Sequence, residues 1–378
     1  MRMNAHKVGI AALGVVIPIA IGVAGCGSSS STSQTRPPIV IGSIESLTGT
    51  GSFYGPSQLE GEQLAVSQAT AANGGPFTLV SRDDKSDNAT ATAAMHDLIG
   101  VPVAAVLGPT LSGVALAADP VGSAAGVPIL GTSTSNLNLA SAGQTVWRIC
   151  LSENRMVAAS VAYATAHHHI ATAVIVSVTG DPYSEAAATS FVAAAAASGV
   201  HITATVTVPT GTTDLAAAIA KATGTHPDAL FFAARSADAK NLLVAAKGFT
   251  GVKVGGNGFN SPSIIHDAGT AADGLIVSAS WNPARTDPAS IAFIASYTAR
   301  FRHVPSAFAA QAYAAVQVLQ AAARTQKGTS AADLLAGMKG LSTVTTVLGS
   351  MKMSPGHEAI YPATVQIVEH DVFAIAPK

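Results

Sequence analysis

Short runs of β-branched and apolar residues alternate with alanine-rich stretches along most of this chain, and this alternation constrains the fold most strongly. Alanine favours helices, whereas β-branched residues favour strands. A first series predicts strands at 39–44, 77–81, 103–107 and 128–130, and helices at 55–72, 89–98 and 112–125. A second series predicts helices at 154–167, 184–197, 215–222 and 237–247, and strands at 173–178, 202–208 and 229–233. The sequence therefore predicts an α/β protein with two parallel sheets, each covered by helices on both faces.

Length and composition narrow the class of protein further. After a predicted strand at 275–279 the chain continues as helices at 290–302 and 309–323, and its 378 residues indicate two domains. Charged residues make up 11% of the chain and the formal net charge is −1. The sequence therefore offers no basic surface for nucleic acid.

Cys26 ends the sequence Val23-Ala24-Gly25-Cys26, which looks like a bacterial lipobox. Arg2 and Lys7 flank the start of an apolar run that is shorter than the roughly 20 residues of a membrane-spanning helix. We expect residues 1–25 to be a lipoprotein signal peptide, Cys26 to carry lipid, and residues 26–38 to be a flexible tether. An uncleaved anchor or an ordinary secretory signal are the alternatives.

Several polar clusters have simpler explanations than a catalytic or metal site. His167, His168 and His169 are predicted to end a helix, where cations are favourable. The acidic group Asp83, Asp84 and Asp87 is predicted to be a solvated turn and helix cap. With Cys26 acylated, Cys150 is left without a disulfide partner and is predicted to be buried. No phosphate loop, nucleophile elbow or zinc-protease motif is present, so we expect neither an enzyme nor a bound cofactor or metal.

Hydroxyl side chains follow two predicted strands, where open parallel sheets bind ligands. Ser112 is placed to cap the predicted helix that begins with it. Ser133 and Ser135 are predicted to do the same in the loop after the next strand, 128–130. Two converging helix N-termini can hold a carboxylate without a basic side chain. Ordinary helix capping is the alternative for either loop.

Two tyrosines and one arginine lie in further loops of this kind. Tyr54 follows the first strand, where it would cover a ligand or staple the next helix, and Tyr183 occupies the matching place in the second series. Arg235 is predicted to be either a ligand clamp or a solvated loop residue.

The sequence resembles type I periplasmic binding proteins, in particular the leucine/isoleucine/valine-binding branch, which are substrate receptors of ABC importers. The resemblance covers nearly the whole chain after the tether and rests on the order and spacing of several short motifs. These are 39–49, Tyr54-Gly55, Gly61, 73–75, Asp83-Asp84, 107–109, Ser112-Gly113, 126–128, Trp147-Arg148, 181–183, Asp273-Gly274 and 313–316.

The resemblance implies two Rossmann-like lobes joined by a three-segment hinge. The expected lobes are 39–152 plus 282–347, and 153–281 plus 348–378, with hinges near Glu153, Trp281 and Leu348. It also implies a monomer that closes on a small ligand and docks on an ABC permease. Together with Cys26, it places the protein on the outer face of the cytoplasmic membrane.

Site residues follow from the same resemblance. Ser112, Ser133 and Ser135 would bind the ligand carboxylate, and Tyr54 and Tyr183 would close over the ligand from opposite lobes. Family members usually have an acid for the ligand ammonium at Asn257 and an aromatic residue at Arg235.

Because an asparagine cannot offset a buried ammonium as a carboxylate does, this sequence predicts weak leucine binding. A keto acid or an aromatic acid should bind better, and an amide-type ligand is also compatible with Asn257. An extracellular sensor or regulator with the same fold is the main alternative function. An extracytoplasmic hydrolase is a third.

Overall fold

The computed structural model describes residues 37–71 and 76–378. The predicted signal peptide, Cys26 and the tether through residue 36 lie outside the described residues, as does Ala72 at the end of the first predicted helix.

The first sheet is parallel, and within the described residues its strand order is β2-β1-β3-β4-β5. The strands are β1 (Ile39–Glu45), β2 (Phe77–Asp83), β3 (Ala105–Leu107), β4 (Ile129–Gly131) and β5 (Val146–Arg148). They alternate with the helices α1 (Gly55–Ala71), α2 (Asn88–Ile99) and α3 (Ser112–Ala124). Four of these strands are predicted from the sequence; β5 is not.

The second α/β series also follows the predicted order. Its helices are α4 (Glu153–His168), α5 (Pro182–Ser198), α6 (Ala216–Thr223), α7 (Ser236–Ala245) and α8 (Pro262–Ala268). Its strands are β6 (Thr172–Thr179), β7 (His201–Pro209), β8 (Ala229–Ala233), β9 (Val252–Gly255) and β10 (Leu275–Ala279). These strands pair in parallel in the order β10-β9-β8-β6-β7.

The last part of the chain contains strands that the sequence patterns do not predict. After α9 (Pro288–Phe301), α10 (Ala307–Arg324) and α11 (Ala331–Lys339) come β11 (Thr343–Thr346), β12 (Gly349–Met353), β13 (Ala359–Ile360), β14 (Thr364–Glu369) and β15 (Val372–Ile375). β14 pairs antiparallel with β10, and β15 pairs antiparallel with β14. The prediction of a purely parallel second sheet was therefore wrong, because these strands return to its edge from distant sequence.

Local sequence explains where several helices begin and end. Asp181 caps α5 by accepting a hydrogen bond from the Ser184 amide, Pro182 occupies its first turn, and Gly199 ends it with a left-handed backbone. His169 ends α4 in the same left-handed conformation. The predicted role of the three histidines at a helix end is thus confirmed.

The chain passes between the sides of the two large sheets at 149–152, at 280–287 and, within the described residues, a third time at 361–363, where it leaves the three-stranded sheet β11-β12-β13 for β14. The first two passages lie near the predicted Glu153 and Trp281. The third does not lie near Leu348, because Leu348, Met351 and Ala359 pack in the core of the first sheet. Residues 348–360 therefore belong with the first sheet in packing.

The carboxyl ends of the parallel strands in the two sheets face one another. The loop after β1 hydrogen-bonds to the loops after β8 and β9, through Ser236 Oγ to the Thr50 carbonyl at 2.6 Å and Ser261 Oγ to the Phe53 carbonyl at 2.9 Å. The loop after β4 reaches α5, where Asn136 Nδ2 donates to the Pro182 carbonyl at 2.8 Å. A cleft between the two sheets follows from these contacts.

Candidate functional site

The cleft contains a small cavity lined from both sheets. Its lining includes six of the seven predicted ligand-binding residues, namely Tyr54, Ser112, Ser133, Tyr183, Arg235 and Asn257. The seventh, Ser135, lies one contact behind the lining and donates a 2.7 Å hydrogen bond to Glu153 Oε2. The structure therefore brings the predicted residues together, although they come from loops far apart in sequence.

Of the two predicted helix N-termini, one is found and the other is not. Ser112 is the first residue of α3, but the capping position is Leu111 and no side chain caps this helix. The loop 131–136 leads into a three-residue 3-10 turn, Leu139–Ser141, instead of a helix. The predicted capping by Ser112 and the second helix N-terminus were wrong, and of the two predicted helix N-termini only that of α3 lies at the cavity.

Serine and threonine hydroxyls on this side of the cleft are held by a buried network. Ser133 Oγ donates to the Thr110 carbonyl at 2.7 Å, and Gln58 Nε2 donates to Ser133 Oγ at 3.0 Å. Thr110 lines the same cavity, and its hydroxyl accepts a 2.8 Å hydrogen bond from the Ser46 amide. The hydroxyl wall is thus preorganised by residues behind it, which favours a polar end of a ligand here.

Glu153 lies behind the cavity lining, in contact with three of the predicted binding residues. Its side chain is fully buried, Oε1 accepts hydrogen bonds from Tyr183 Oη and the Asn257 amide, both at 3.0 Å, and Oε2 accepts from Ser135. Burial raises the pKa of this carboxyl, which the hydrogen bonds and the charge of Arg148 oppose. The sequence identified Glu153 only as a hinge position, because the preceding strand β5 is not predicted from the sequence.

The two predicted tyrosines both reach Gly258. Tyr54 Oη donates to the Gly258 carbonyl at 2.8 Å, while the Gly258 amide donates to Tyr183 Oη at 2.7 Å. Burial raises the pKa of Tyr54 to about 12 and raises that of Tyr183 as well. Both phenols therefore stay neutral hydrogen-bonding groups at physiological pH. A side chain at Gly258 would lie 2.4 Å from the Ala234 carbonyl, so only glycine fits there.

Asn257 is held by its neighbours. Its Oδ1 accepts a 3.0 Å hydrogen bond from Asn260 Nδ2, and its backbone amide donates to Glu153. The cavity wall thus has an amide at Asn257, and the Glu153 carboxylate accepts from the backbone of the same residue.

Arg235 lines the cavity and pairs with a carboxylate. Its Nε and Nη2 donate to Asp181 Oδ1 at 2.9 and 2.8 Å, and the side chain of Asp181 is almost completely buried. The guanidinium is therefore held in place at the cavity by Asp181.

Leu111 and Phe308 form an apolar wall of the cavity together with the Tyr54 ring, whose centroid lies 4.9 Å from that of Phe308. Hydrogen bonds from the loop after β1 to Ser236 and Ser261 close the cleft over this cavity, so a ligand enters only when the two sides of the cleft separate. Sequence reasoning also missed Thr110, Leu111, Gly258 and Phe308.

Buried acids stand behind the hydroxyl wall. Thr110 Oγ1 donates to Glu45, and both Glu45 and Glu62 are completely buried. Burial raises the pKa of Glu62 to about 7, and burial together with the nearby Glu62 raises that of Glu45. Asp84 is also fully buried, so the predicted solvated turn was wrong for this residue, while Asp87 caps α2 as predicted.

The remaining findings concern metal ligands, the cysteine thiol and membrane-spanning helices. In the described part of the chain, no three His, Cys, Asp or Glu residues are grouped to hold a metal ion. Cys150 is buried with a free thiol, as predicted. None of the helices within 37–71 and 76–378 is both long and apolar enough to cross a membrane.

A family profile described as periplasmic binding protein matches residues 38–371. The chain belongs to the periplasmic binding protein family. The resemblance seen in the sequence and the two-sheet α/β fold are thereby confirmed. No sequence among curated proteins gives a significant match.

Solved structures of this family share the fold. A leucine binding protein of Thermotoga maritima superimposes with a TM-score of 0.84 and 23% identity, over 90% of this chain and 98% of that chain. A branched-chain amino acid transporter substrate binding protein of Streptococcus pneumoniae, in complex with isoleucine, gives 0.82 and 24%, over 89% and 98%. An ABC transporter solute binding protein of R. palustris, in complex with benzoate, gives 0.80 and 19%, over 90% and 95%.

Proposed function

We propose that this periplasmic binding protein is the extracytoplasmic substrate receptor of an ABC importer. The observation that carries the proposal is the cleft, where loops at the carboxyl ends of two sheets join six predicted binding residues around one cavity. Similar solved structures include transporter proteins in complex with isoleucine and with benzoate, which supports a small carboxylate-bearing ligand.

Binding proceeds by closure of two lobes. One lobe contains the first sheet and the other contains the second, and the passages at 149–152, 280–287 and 361–363 act as the hinge. Hydrogen bonds between loops of the two sheets cross the cleft, so the lobes open to admit ligand and close over it. The closed form then docks on the permease subunits.

The proposed ligand is an amino acid with an apolar side chain. Its carboxylate lies at Ser112, at the positive end of the α3 dipole, and beside Ser133, whose hydroxyl turns from the Thr110 carbonyl to donate to it. Its side chain contacts the apolar wall of Leu111 and Phe308.

Glu153 supplies the negative group for the ligand ammonium. A carboxylate offers about four acceptor positions, and three of those of Glu153 are used by Ser135, Tyr183 and Asn257. The site therefore favours a ligand with an ammonium. The expectation from Asn257 alone was that a ligand without an ammonium binds better.

The anchoring and the assembly are part of the same proposal. Cys26, which lies outside the described residues, carries lipid on the outer face of the cytoplasmic membrane, and the tether to residue 38 holds a monomeric receptor near its permease. No cofactor and no catalytic step are involved.

Titration calorimetry of the purified protein tests the ligand. We expect leucine to bind with micromolar affinity and its keto acid, 4-methyl-2-oxopentanoate, at least about tenfold more weakly, because an unpaired buried carboxylate is costly. Benzoate serves as the second ligand without an ammonium. Tighter binding of the keto acid or of benzoate would contradict the amino-acid assignment, and binding of none of the three would contradict the proposed function.

A further inference from the structure

Ser236 joins the two sides of the cleft outside the cavity. It is the first residue of α7, after the loop that follows β8, is almost fully buried, and adopts a left-handed backbone with φ of 56°. Its hydroxyl donates to the Thr50 carbonyl at 2.6 Å, and its amide donates to Tyr54 Oη at 2.7 Å. Thr50 and Tyr54 belong to the loop after β1, so both bonds cross between the sheets.

Arg235 and Asp181 hold this loop in place. Arg235 is fixed by its two bonds to Asp181, and Asp181 uses its other oxygen, Oδ2, to accept from the amide and hydroxyl of Ser184 at the start of α5. The guanidinium also extends across the cleft, with Nη1 3.4 Å from Thr50 Oγ1 and 3.3 Å from Ser236 Oγ. The arginine is thus part of the contact between the two sides.

A left-handed backbone is uncommon for a residue with a side chain and costs on the order of 1 kcal/mol. At Ser236 it directs the amide and the hydroxyl toward the loop after β1 at the same time. Ser236 is not among the residues that line the cavity, whereas Tyr54 is. The contact with Thr50 can therefore act on closure without acting on ligand choice.

We propose that Thr50, Arg235 and Ser236 form a latch that holds the closed cleft and sets the rate of ligand release. The proposal rests on the proposed function, because it assumes a cleft that opens and closes on a small ligand. Arg235 is then a positioning residue of the latch instead of a ligand-binding residue. A ligand leaves only after the Ser236–Thr50 hydrogen bond has broken, so loss of that bond speeds release of every ligand by the same factor.

The test is the dissociation rate of leucine and of valine, measured by stopped-flow competition, in the Ser236→Ala protein. Removing the hydroxyl should raise both rates by about 2- to 10-fold, the effect of one ordinary hydrogen bond, and should leave the ratio of the two affinities unchanged. Ser236→Gly removes the same hydroxyl while it permits the left-handed backbone, so it provides a second variant if alanine disturbs folding.

Ser52→Ala is the matched control, because Ser52 Oγ donates to the Gly49 carbonyl within the same loop and does not cross the cleft. Its release rates should equal those of the unchanged protein. Unchanged rates in both Ser236 variants overturn the latch, and so does a change in the leucine-to-valine preference, which would place Ser236 in ligand recognition. Failure of the unchanged protein to bind either amino acid counts against the proposed function instead.

Discussion

The carboxylate of Glu153 accepts hydrogen bonds from both sides of the cleft. Ser135 donates from the side of the first sheet, and Tyr183 and Asn257 donate from the side of the second. Replacing Glu153 by Gln keeps the shape of the side chain but removes its charge. Breaking a buried charge pair costs about 3 kcal/mol or more, so we expect the dissociation constant of leucine to rise by about 100-fold. Titration calorimetry measures the change.

The keto acid distinguishes a charge effect from general damage. Its affinity for the Glu153→Gln protein should stay within a few fold of its original value or improve, because it has no ammonium to pair. Glu185→Gln is the control, since Glu185 lies on the exposed side of α5, where it accepts from the Gly180 amide. Equal losses of affinity for leucine and the keto acid would contradict the ammonium role.

At the residue scale, the sequence was sufficient to find Ser112 and Ser133 in loops after predicted strands, whereas Asn257 came from the family resemblance. It could not find Phe308, which reaches the cavity from the first turn of a helix more than two hundred residues after Tyr54. It also could not show that Arg235 forms an ion pair with Asp181, because that pair depends on how two loops of the second sheet meet.

Among elements, the packing of α1 on α10 depends on a glycine. A Cβ at Gly61 would lie 2.2 Å from the Ala309 carbonyl oxygen, a distance that forces the helices apart. We expect Gly61→Ala to lower the free energy of unfolding by about 1–3 kcal/mol, as overpacking does. Urea unfolding measures this difference.

Gly248→Ala is the matched control for this substitution. A Cβ at Gly248 meets no atom within 4 Å, so that variant should be as stable as the unchanged protein or slightly more stable. A Gly61→Ala protein with unchanged stability would show that the two helices are not in fixed contact.

Most helices and strands up to β10 were predictable from the alternation of β-branched and alanine-rich runs, but β5, β9 and α8 were not. β13 has only two residues, too few for a pattern. The loop 131–136 has the hydroxyl-rich composition of a helix start, but the chain must continue to β5 in the same sheet, and only a 3-10 turn intervenes.

Across the whole molecule, stability should fall as the pH rises from 5 to 8. Burial raises the pKa of Glu62 to about 7 and that of Glu45 above its usual value, so the folded protein binds more protons than the unfolded chain in this range. A carboxyl whose pKa is raised by folding contributes its full stabilisation below its pKa in the unfolded chain, about 4.5. This contribution is lost as the pH rises toward and past its pKa in the folded protein. For Glu62 the loss is on the order of 3 kcal/mol.

Urea unfolding at several pH values measures this loss, and the Glu62→Gln protein isolates the contribution of one acid. Its free energy of unfolding should depend less on pH than that of the unchanged protein. The carboxyls of Asp83, Asp87, Asp228 and Asp287 have lowered pKa values and stay ionised over the range. Glu369→Gln, at an exposed position, should retain the full pH dependence. Parallel curves for the Glu62→Gln and unchanged proteins would refute the prediction.

The antiparallel pairing of β14 with β10 has a consequence for how the protein is made. Gln366 on β14 donates through Nε2 to Asn260 and accepts through Oε1 from Asn282, both at 2.7 Å, and Asn260 in turn supports Asn257. A ribosome makes residues 364–378 more than a hundred positions after the loop that they brace. The ligand-binding loop after β9 is therefore among the last parts to take its final shape, and a chain that crosses a membrane with its N-terminal end first emerges without a finished binding site.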